Sequence, residues 1–444
     1  MFRYPSIPHG TNYSISSKTY TFSKGGITAN ARLGSDMVYH QNGKNYLLIT
    51  LKGDPIHLPI QESRLPLNLS LVIDRSGSMS GTKLENVKTA LYQISHMLNE
   101  RDLVSIVIYD DSVDTIYNGQ YNENRFLSAI SEIDSRGSTY LEGGLKEGLK
   151  NINAHYFLGG HYINKLILLS DGLANVGVSS PYELARLVQD YSEQEIHVST
   201  IGIGADYDEN LMTQVALAGR GNYYFMENGS DAEQILTQEF QGMVNTIAED
   251  VKVEFNFDDQ FILNRAVGYK LDNQLFFTPQ NISSGKETSY LFEIQSKDLR
   301  MLNTNKASIA NLKITFNSIV SKSREEINIP VQVDITSNAI NPLSDDRVYK
   351  EYMNANVAEK LWKVDEHLNN VQNSSAQTVM SELRNELNSA NQRLPGVFDK
   401  ELSNLKTKQD YLNKQGSADI KTSVSGRLFK KSNQAESYMR QYNK

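Results

Sequence analysis

The 444-residue chain has no cysteine, which excludes disulfide stapling, thiolate zinc sites and a thiol nucleophile. No stretch approaches the ~20 consecutive apolar residues of a membrane helix. The first residues, MFRYPSIPHGTNYS, lack the apolar core of a signal peptide, so on a native start the expected location is cytoplasmic. Positive charge is not in excess: 44 Lys and Arg stand against 52 Asp and Glu, and the net −8 offers no general attraction for nucleic acid or an anionic membrane. The phosphate loop G-x-x-x-x-G-K-[ST] is absent, and Gly202-x-Gly204 lacks the third glycine of the dinucleotide fingerprint. Ser76 has no G-x-S-x-G elbow around it and no histidine placed to serve as its base, which argues against a serine nucleophile. What is present is the composition of a folded protein, 39% hydrophobic and 22% charged, long enough for two or three domains.

Between residues 65 and 249 apolar strands alternate with amphipathic helices. LNLSLVID (67–74), LVSIVIYD (103–110), KLILLSD (165–171), IHVSTIGIG (196–204) and NYYFM (222–226) read as strands, and VDTIY (113–117) reads as an antiparallel edge. Helices are expected over 83–99, 122–133, 141–157, 181–192, 209–218 and 231–247. Continuous apolar strands with helical crossovers predict an α/β fold, a doubly wound, mostly parallel sheet covered on both faces.

The flanks read differently. MVYHQNGKNYLLITL places Asn42-Gly43, a preferred two-residue turn, between β-like runs, which predicts a hairpin. After residue 249 the period is two: Ile327, Ile329, Val331, Val333 and Ile335 share one face and Pro330 lies on the other. Residues 250–340 therefore read as a β-sandwich that residues 1–64 complete, with the α/β domain inserted between them. Residues 341–415 read as a helical hairpin or three-helix unit. Its seam runs through Met353, Val357, Leu361, Val364, Leu368 and Val371, then Met380, Leu383, Leu387, Ala390 and Leu394, with Asn373-Ser374-Ser375 as the break. Residues 416–444 form a basic tail, expected to be a solvated helix or a fraying end.

The chemistry concentrates where the first sheet strand ends, at Asp74-Arg75-Ser76-Gly77-Ser78-Met79. Open α/β sheets place ligand sites at such carboxyl ends. Gly137-Ser138-Thr139 and Leu169-Ser170-Asp171-Gly172 reach the same edge by topology. Ser76, Ser78 and Thr139 offer hydroxyls and Asp74 and Asp171 offer carboxylates, an all-oxygen set suited to a hard octahedral ion, Mg²⁺ or Mn²⁺. Gly77 and Gly172 read as positions that let the loops turn tightly. Asp110, Asp111 and Asp114 form a weaker acidic group that reads as a solvated loop.

These residues resemble the von Willebrand factor type A domain and its metal-ion-dependent adhesion site, whose pattern is Asp-x-Ser-x-Ser, a distant Thr and a distant Asp. The resemblance spans about 65–249 and is similar to bacterial cytoplasmic or envelope members of the superfamily; the domain is also similar to that of inter-alpha-trypsin inhibitor heavy chains. It implies that Ser76, Ser78 and Thr139 contact the metal while Asp74 and Asp171 act largely through water. It also implies a non-enzymatic adaptor or scaffold that recruits another protein through an acidic side chain completing the metal shell. Two other readings stay open: a structural subunit whose metal only stabilises it, and a metal-dependent hydrolase. Oligomeric state is not legible.

Overall fold

The structure is a computed structural model that describes residues 12–16, 19–55, 64–156, 161–227, 231–268, 276–302, 304–414 and 423–442. Parts of the expected amino-terminal segment (1–11, 56–63) and the start of the expected tail (416–422) lie outside the described residues. The amino-terminal part supplies β1 (Asn12–Ser16), β2 (Thr19–Lys24), β3 (Ile27–Leu33), β4 (Met37–Tyr39) and β5 (Lys44–Gly53). The α/β part follows as β6 (Leu67–Asp74), α1 (Thr82–Ser95), β7 (Leu103–Tyr109), β8 (Val113–Gln120), α2 (Glu123–Ser131), α3 (Leu141–Tyr156), β9 (Ile163–Ser170), α4 (Pro181–Ser192), β10 (Ile196–Ile203), α5 (Glu209–Ala218), β11 (Arg220–Met226) and α6 (Ala232–Val244). Then come β12 (Thr246–Phe257), β13 (Phe261–Ala266), β14 (Phe276–Phe277), β15 (Ile282–Ser283), β16 (Glu287–Ser296), β17 (Lys306–Ser318) and β18 (Ser323–Thr336). The chain ends in α7 (Asp346–Asn369), α8 (Asn373–Arg393), α9 (Asp399–Lys414) and α10 (Val424–Tyr442).

The α/β sheet has the order β11-β10-β9-β6-β7-β8, parallel except for the edge strand β8. Every residue of β6 is buried because helices cover both faces. Leu69, Leu71 and Ile73 pack toward α1, α2 and α6, and Val72 packs toward α3, α4 and α5. Each such fully buried aliphatic side chain stabilises by ~1.5–3 kcal/mol. Helix α3 lies close on the sheet because a Cβ at Gly148 would sit 2.5 Å from Val72 Cγ2.

Two further sheets, β1-β2-β3-β5-β16-β13 and β14-β12-β17-β18-β4, stack on a shared core that includes Leu47, Ile49, Phe255, Phe292, Leu312, Ile314, Ile329 and Val331. Each sheet joins strands from before and after the α/β part: β1, β2, β3 and β5 continue into β16 and β13 in one, β4 flanks β18 in the other, and β5 pairs antiparallel with β16. Pro330 is exposed on β18, where β4 pairs only Asp334–Thr336 and leaves that stretch an edge.

Three expectations from the sequence are corrected here. Asn42-Gly43 does not close a hairpin: β4 joins β18 in one sheet and β5 joins β3 and β16 in the other, so the chain crosses between sheets at this turn. Long-range partners win over local pairing, since Gly43 N–H donates to Ser296 Oγ at 2.8 Å and Asn45 Nδ2 donates to the Ser35 and Met37 carbonyls. The tight hairpin is instead β2-β3, whose turn residues Gly25 and Gly26 have φ of 56° and 82°. In the helical unit, Asn373 already begins α8, and Val371 is exposed with φ 58°, outside the seam.

The described part of the carboxyl-terminal basic segment, α10, is not solvated. Helix α10 lies between α7 and the α/β domain: Tyr438, 2% exposed, donates its hydroxyl to the Gly221 carbonyl at 2.9 Å, and Ser437 Oγ donates to the Ala358 carbonyl at 3.2 Å. Three of its cations are paired within the protein, Lys431 on Glu209 at 2.7 Å, Arg427 on Asp206 at 2.9 Å and Arg440 on Glu436 at 2.9 Å. Among the described residues no helix is long and apolar enough to cross a membrane.

Candidate functional site

Strand β6 runs through the middle of the α/β sheet and delivers Asp74 to its carboxyl edge with no exposed surface. Two donors fix the carboxyl group: Ser76 N–H reaches Oδ1 at 2.8 Å and Ser170 Oγ reaches Oδ2 at 2.7 Å. Burial pushes its pKa up to about 6 despite those bonds, and the nearby Asp171 adds to the rise. The chain then makes a short 3-10 turn, Gly77–Met79, anchored by the fully buried Met79. The turn sets Ser76 Oγ 3.0 Å from Ser78 Oγ, and Ser78 Oγ donates to Asp171 Oδ1 at 2.6 Å.

Thr139 comes from the loop before α3. Its N–H donates to Asn175 Oδ1 at 2.9 Å, and its carbonyl accepts from Asn175 N at 3.2 Å. Two backbone bonds stitch this loop to the first: Gly77 N donates to the Gly137 carbonyl at 3.1 Å and Arg136 N to the Arg75 carbonyl at 2.7 Å. Gly172 stands beside these hydroxyls, where an added Cβ would lie 3.1 Å from Thr139 Oγ1 and 3.6 Å from Ser78 Oγ. Glycine there keeps open the space the hydroxyls face. Gly77 is less constrained than its sequence context implied, because a Cβ on it meets only the Gly137 carbonyl at 3.7 Å.

All five candidate residues, Asp74, Ser76, Ser78, Thr139 and Asp171, thus gather at one edge of the sheet. Among the described residues no three histidine or carboxylate side chains cluster as a metal site, so the donor set rests on hydroxyls with two acids behind them. That chemistry fits a hard divalent cation.

Several contributors escaped the sequence reading. Ser170 holds Asp74, and its only signal was its place next to Asp171 in Leu169-Ser170-Asp171-Gly172. Lys83, in the first turn of the helix that follows the first loop, places its ammonium against Asp171 Oδ2 and 3.3 Å from the Ser78 carbonyl. Of the acidic group, Asp111 and Asp114 are exposed, as a solvated loop requires, but Asp110 is not. Asp110 is buried and shares one carboxylate oxygen with Arg75 and Arg136, each at 2.7 Å, and Asp114 pairs with Arg75 at 2.7 Å. Burial works against the Asp110 charge, yet hydrogen bonds from Arg136 and Ser112 hold its pKa at about 2. Arginines occupy the place a second cation needs.

A von Willebrand factor type A domain model matches residues 68–238. Over 287 residues the chain is 31% identical to YfbK, an uncharacterized protein of Escherichia coli (strain K12), covering 62% of this chain and 48% of that one. Inter-alpha-trypsin inhibitor heavy chain H3 of Homo sapiens is 26% identical over 209 residues, covering 45% of this chain and 23% of its own. The chain therefore spans less than half the length of these curated relatives. Among solved structures, a von Willebrand factor type A protein from Catenulispora acidiphila superposes with a TM-score of 0.70 at 14% identity, covering 97% of this chain and 99% of that one. The ArnB paralog VWA2 from Sulfolobus acidocaldarius gives a TM-score of 0.59 at 14% identity, covering 94% and 99%. At such identity these likenesses speak to the fold, and they extend across nearly the whole chain.

Proposed function

With residues 68–238 a von Willebrand factor type A domain, we propose that the protein is a metal-dependent protein-binding module, an adaptor or scaffold, whose divalent ion is held by Ser76, Ser78 and Thr139 with Asp74 and Asp171 behind them. The observation that carries this reading is the convergence of Ser76 Oγ, Ser78 Oγ and Asp171 Oδ1 within 3.0 Å steps at the sheet edge, beside a glycine that leaves the space clear. Mg²⁺ or Mn²⁺ suits the oxygen set. A shell of neutral hydroxyls leaves a dication short of anionic ligands, which favours an incoming Asp or Glu side chain from a partner. Leu173, 58% exposed, and Val176, 37% exposed, lie on the loop following Asp171 and offer apolar surface for the same partner. We place the protein among the bacterial, cytoplasmic, non-enzymatic members of the superfamily. In support of a binding role, the Ser76 hydroxyl faces that of Ser78 at 3.0 Å.

Calorimetry with Mn²⁺ on the full chain tests the site. Asp171→Ala and Thr139→Ala are expected to weaken binding at least tenfold, about 1.4 kcal/mol, with far-UV dichroism unchanged. Wild-type affinity in both variants would remove the assignment. Co-purification with and without chelator then separates the module from a structural subunit that uses its helical arm, where Trp362 is 44% exposed. Metal-insensitive capture lost only on deletion of residues 341–444 decides for the arm.

A further inference from the structure

The opposite end of the α/β sheet, away from the metal site, carries a polar cavity of about 110 Å³. It lies where β9, β10 and β11 begin, beneath the last turns of α6, and its far wall is the 280–290 segment of the sandwich. Clefts between domains are favoured places for ligands. Among the described residues three cations line it, Lys165 and Arg220 from the α/β domain and Lys286 from the sandwich, against one carboxylate, Glu239.

The charge of Glu239 is already used. It takes Lys165 Nζ at 2.8 Å, Asn222 Nδ2 at 2.6 Å, the Tyr224 hydroxyl at 2.7 Å and Ser199 Oγ at 2.5 Å. Burial opposes its ionisation, but Lys165 and these hydrogen bonds hold its pKa at about 2. Neither Arg220 nor Lys286 has an ion-pair partner among the described residues. Glu195 feels Arg220 only as the smallest of its influences, and burial together with Asp250 and Glu249 pushes that carboxyl up to about 7. His197, on the cavity wall, reports the same field: burial first, then Lys165 and Arg220, push its pKa down to about 3.

The backbone adds a separate observation. Arg220 has φ 49°, a conformation that favours glycine or asparagine. Its neighbours Gly219 and Gly221 are required as glycines, since added Cβ atoms would lie 2.6 Å from Val198 Cβ and 2.1 Å from the Val198 carbonyl. An arginine thus occupies the positive-φ position of a tightly packed turn, with its side chain on the cavity.

We propose that this cavity binds a phosphate-sized oxyanion, gripped by the guanidinium of Arg220 from one domain and the ammonium of Lys286 from the other. A guanidinium fork matches two oxygens of a tetrahedral anion, and an ammonium supplies a point charge to a third. The volume admits a phosphate group and excludes a whole nucleotide; a free phosphate and the phosphate of a larger molecule extending through the open side present the same chemistry. Because its two cations belong to different domains, the bound anion ties the α/β domain to the sandwich.

The test uses the full chain in metal-free buffer at constant ionic strength, with inorganic phosphate, glycerol 3-phosphate and chloride as probes. Phosphate is expected to raise Tm saturably and to titrate calorimetrically, with chloride doing neither. Glycerol 3-phosphate binding more tightly than phosphate assigns the site to a phosphorylated molecule, and the reverse order assigns it to the free ion. Arg220→Gln and Lys286→Gln should each weaken binding tenfold or more, whereas Asp171→Ala should leave it unchanged. Lys286 is exposed, so its variant remains informative if Arg220→Gln misfolds. A phosphate response equal to that of chloride, or wild-type affinity in Lys286→Gln, overturns the proposal.

Discussion

Two aspartates, Asp74 and Asp365, are buried to nearly the same degree, 0% and 3% exposed, and are treated in opposite ways. Asp74 has a hydrogen-bond donor on each oxygen, and burial leaves its pKa at about 6. Asp365 lies in α7 facing α10; among the described residues it has a single donor, Asn433 Nδ2 at 2.9 Å, and its Oδ2 has no partner. Burial pushes it up to about 8, although Asn433 and the Lys408 and Lys430 charges pull the other way. Donors arranged for the charged form mark a carboxylate kept for ionic work, whereas a lone amide marks one kept neutral as part of a helix joint. Burial alone does not separate the two; the partners do.

The contrast breaks most visibly with pH. A carboxyl whose folded pKa of about 8 exceeds its unfolded value of about 4 binds its proton more tightly when folded. The stabilisation is therefore full below about pH 4 and is lost as pH rises through about 8. Four pKa units correspond to on the order of 5 kcal/mol. The urea midpoint should fall between pH 5 and 8 in the wild type, and Asp365→Asn should flatten that fall. Equal slopes in the two proteins would show that Asp365 is charged in the folded state.

Next in size is the anchor of the same joint. Tyr438 is buried with its ring 5.6 Å from Tyr223, edge to face, and its hydroxyl on Gly221. Tyr438→Ala removes packing and a buried hydrogen bond, and about 3 kcal/mol is expected for an aromatic truncation of this kind. Proteolysis should then cut within 424–442 while the α/β domain stays intact. Resistance equal to the wild type would mean that α10 docks without its tyrosine.

Near-range patterns account for what the sequence made legible. The apolar runs of β6, β9 and β10 and the amphipathic helices between them announce a doubly wound sheet, and that fold is what is found. The five oxygen-bearing side chains were likewise legible because a short motif fixes three of them and topology brings the other two to the same edge. Distant partners account for the misses. Lys431 finds Glu209 across 222 residues and Asn433 finds Asp365 across 68, so a tail whose last part, 421–444, has six cations and one acid reads as solvated until its partners are seen. Asn42-Gly43 misled for the same reason, since Ser296 and β18, far along the chain, decide where β4 and β5 pair. Gly25-Gly26 carries the true hairpin signal of the amino-terminal β segment, upstream of the Asn42-Gly43 pair.

The smallest predicted effect sharpens the contrast from the side of Asp171. At the helix joint the partners of Asp365 are fixed by packing, but Asp171 has a counter-ion on a flexible stem: the ammonium of Lys83, whose side chain is 25% exposed. Ser78 also donates to Asp171, so the lysine already satisfies part of the negative field on which a divalent ion depends. A tethered monocation and an incoming dication draw on the same carboxylate, and binding the second means loosening the first. Because Lys83 is partly exposed on a flexible stem, its ammonium can swing into water when the ion binds, which limits the competition to a few-fold. Lys83→Met keeps the stem and removes the charge, so Mn²⁺ affinity measured by calorimetry should rise by a few-fold, with Lys83→Arg close to the wild type. Unchanged or weaker Mn²⁺ binding in Lys83→Met would mean that the ammonium supports the loop rather than competing for Asp171.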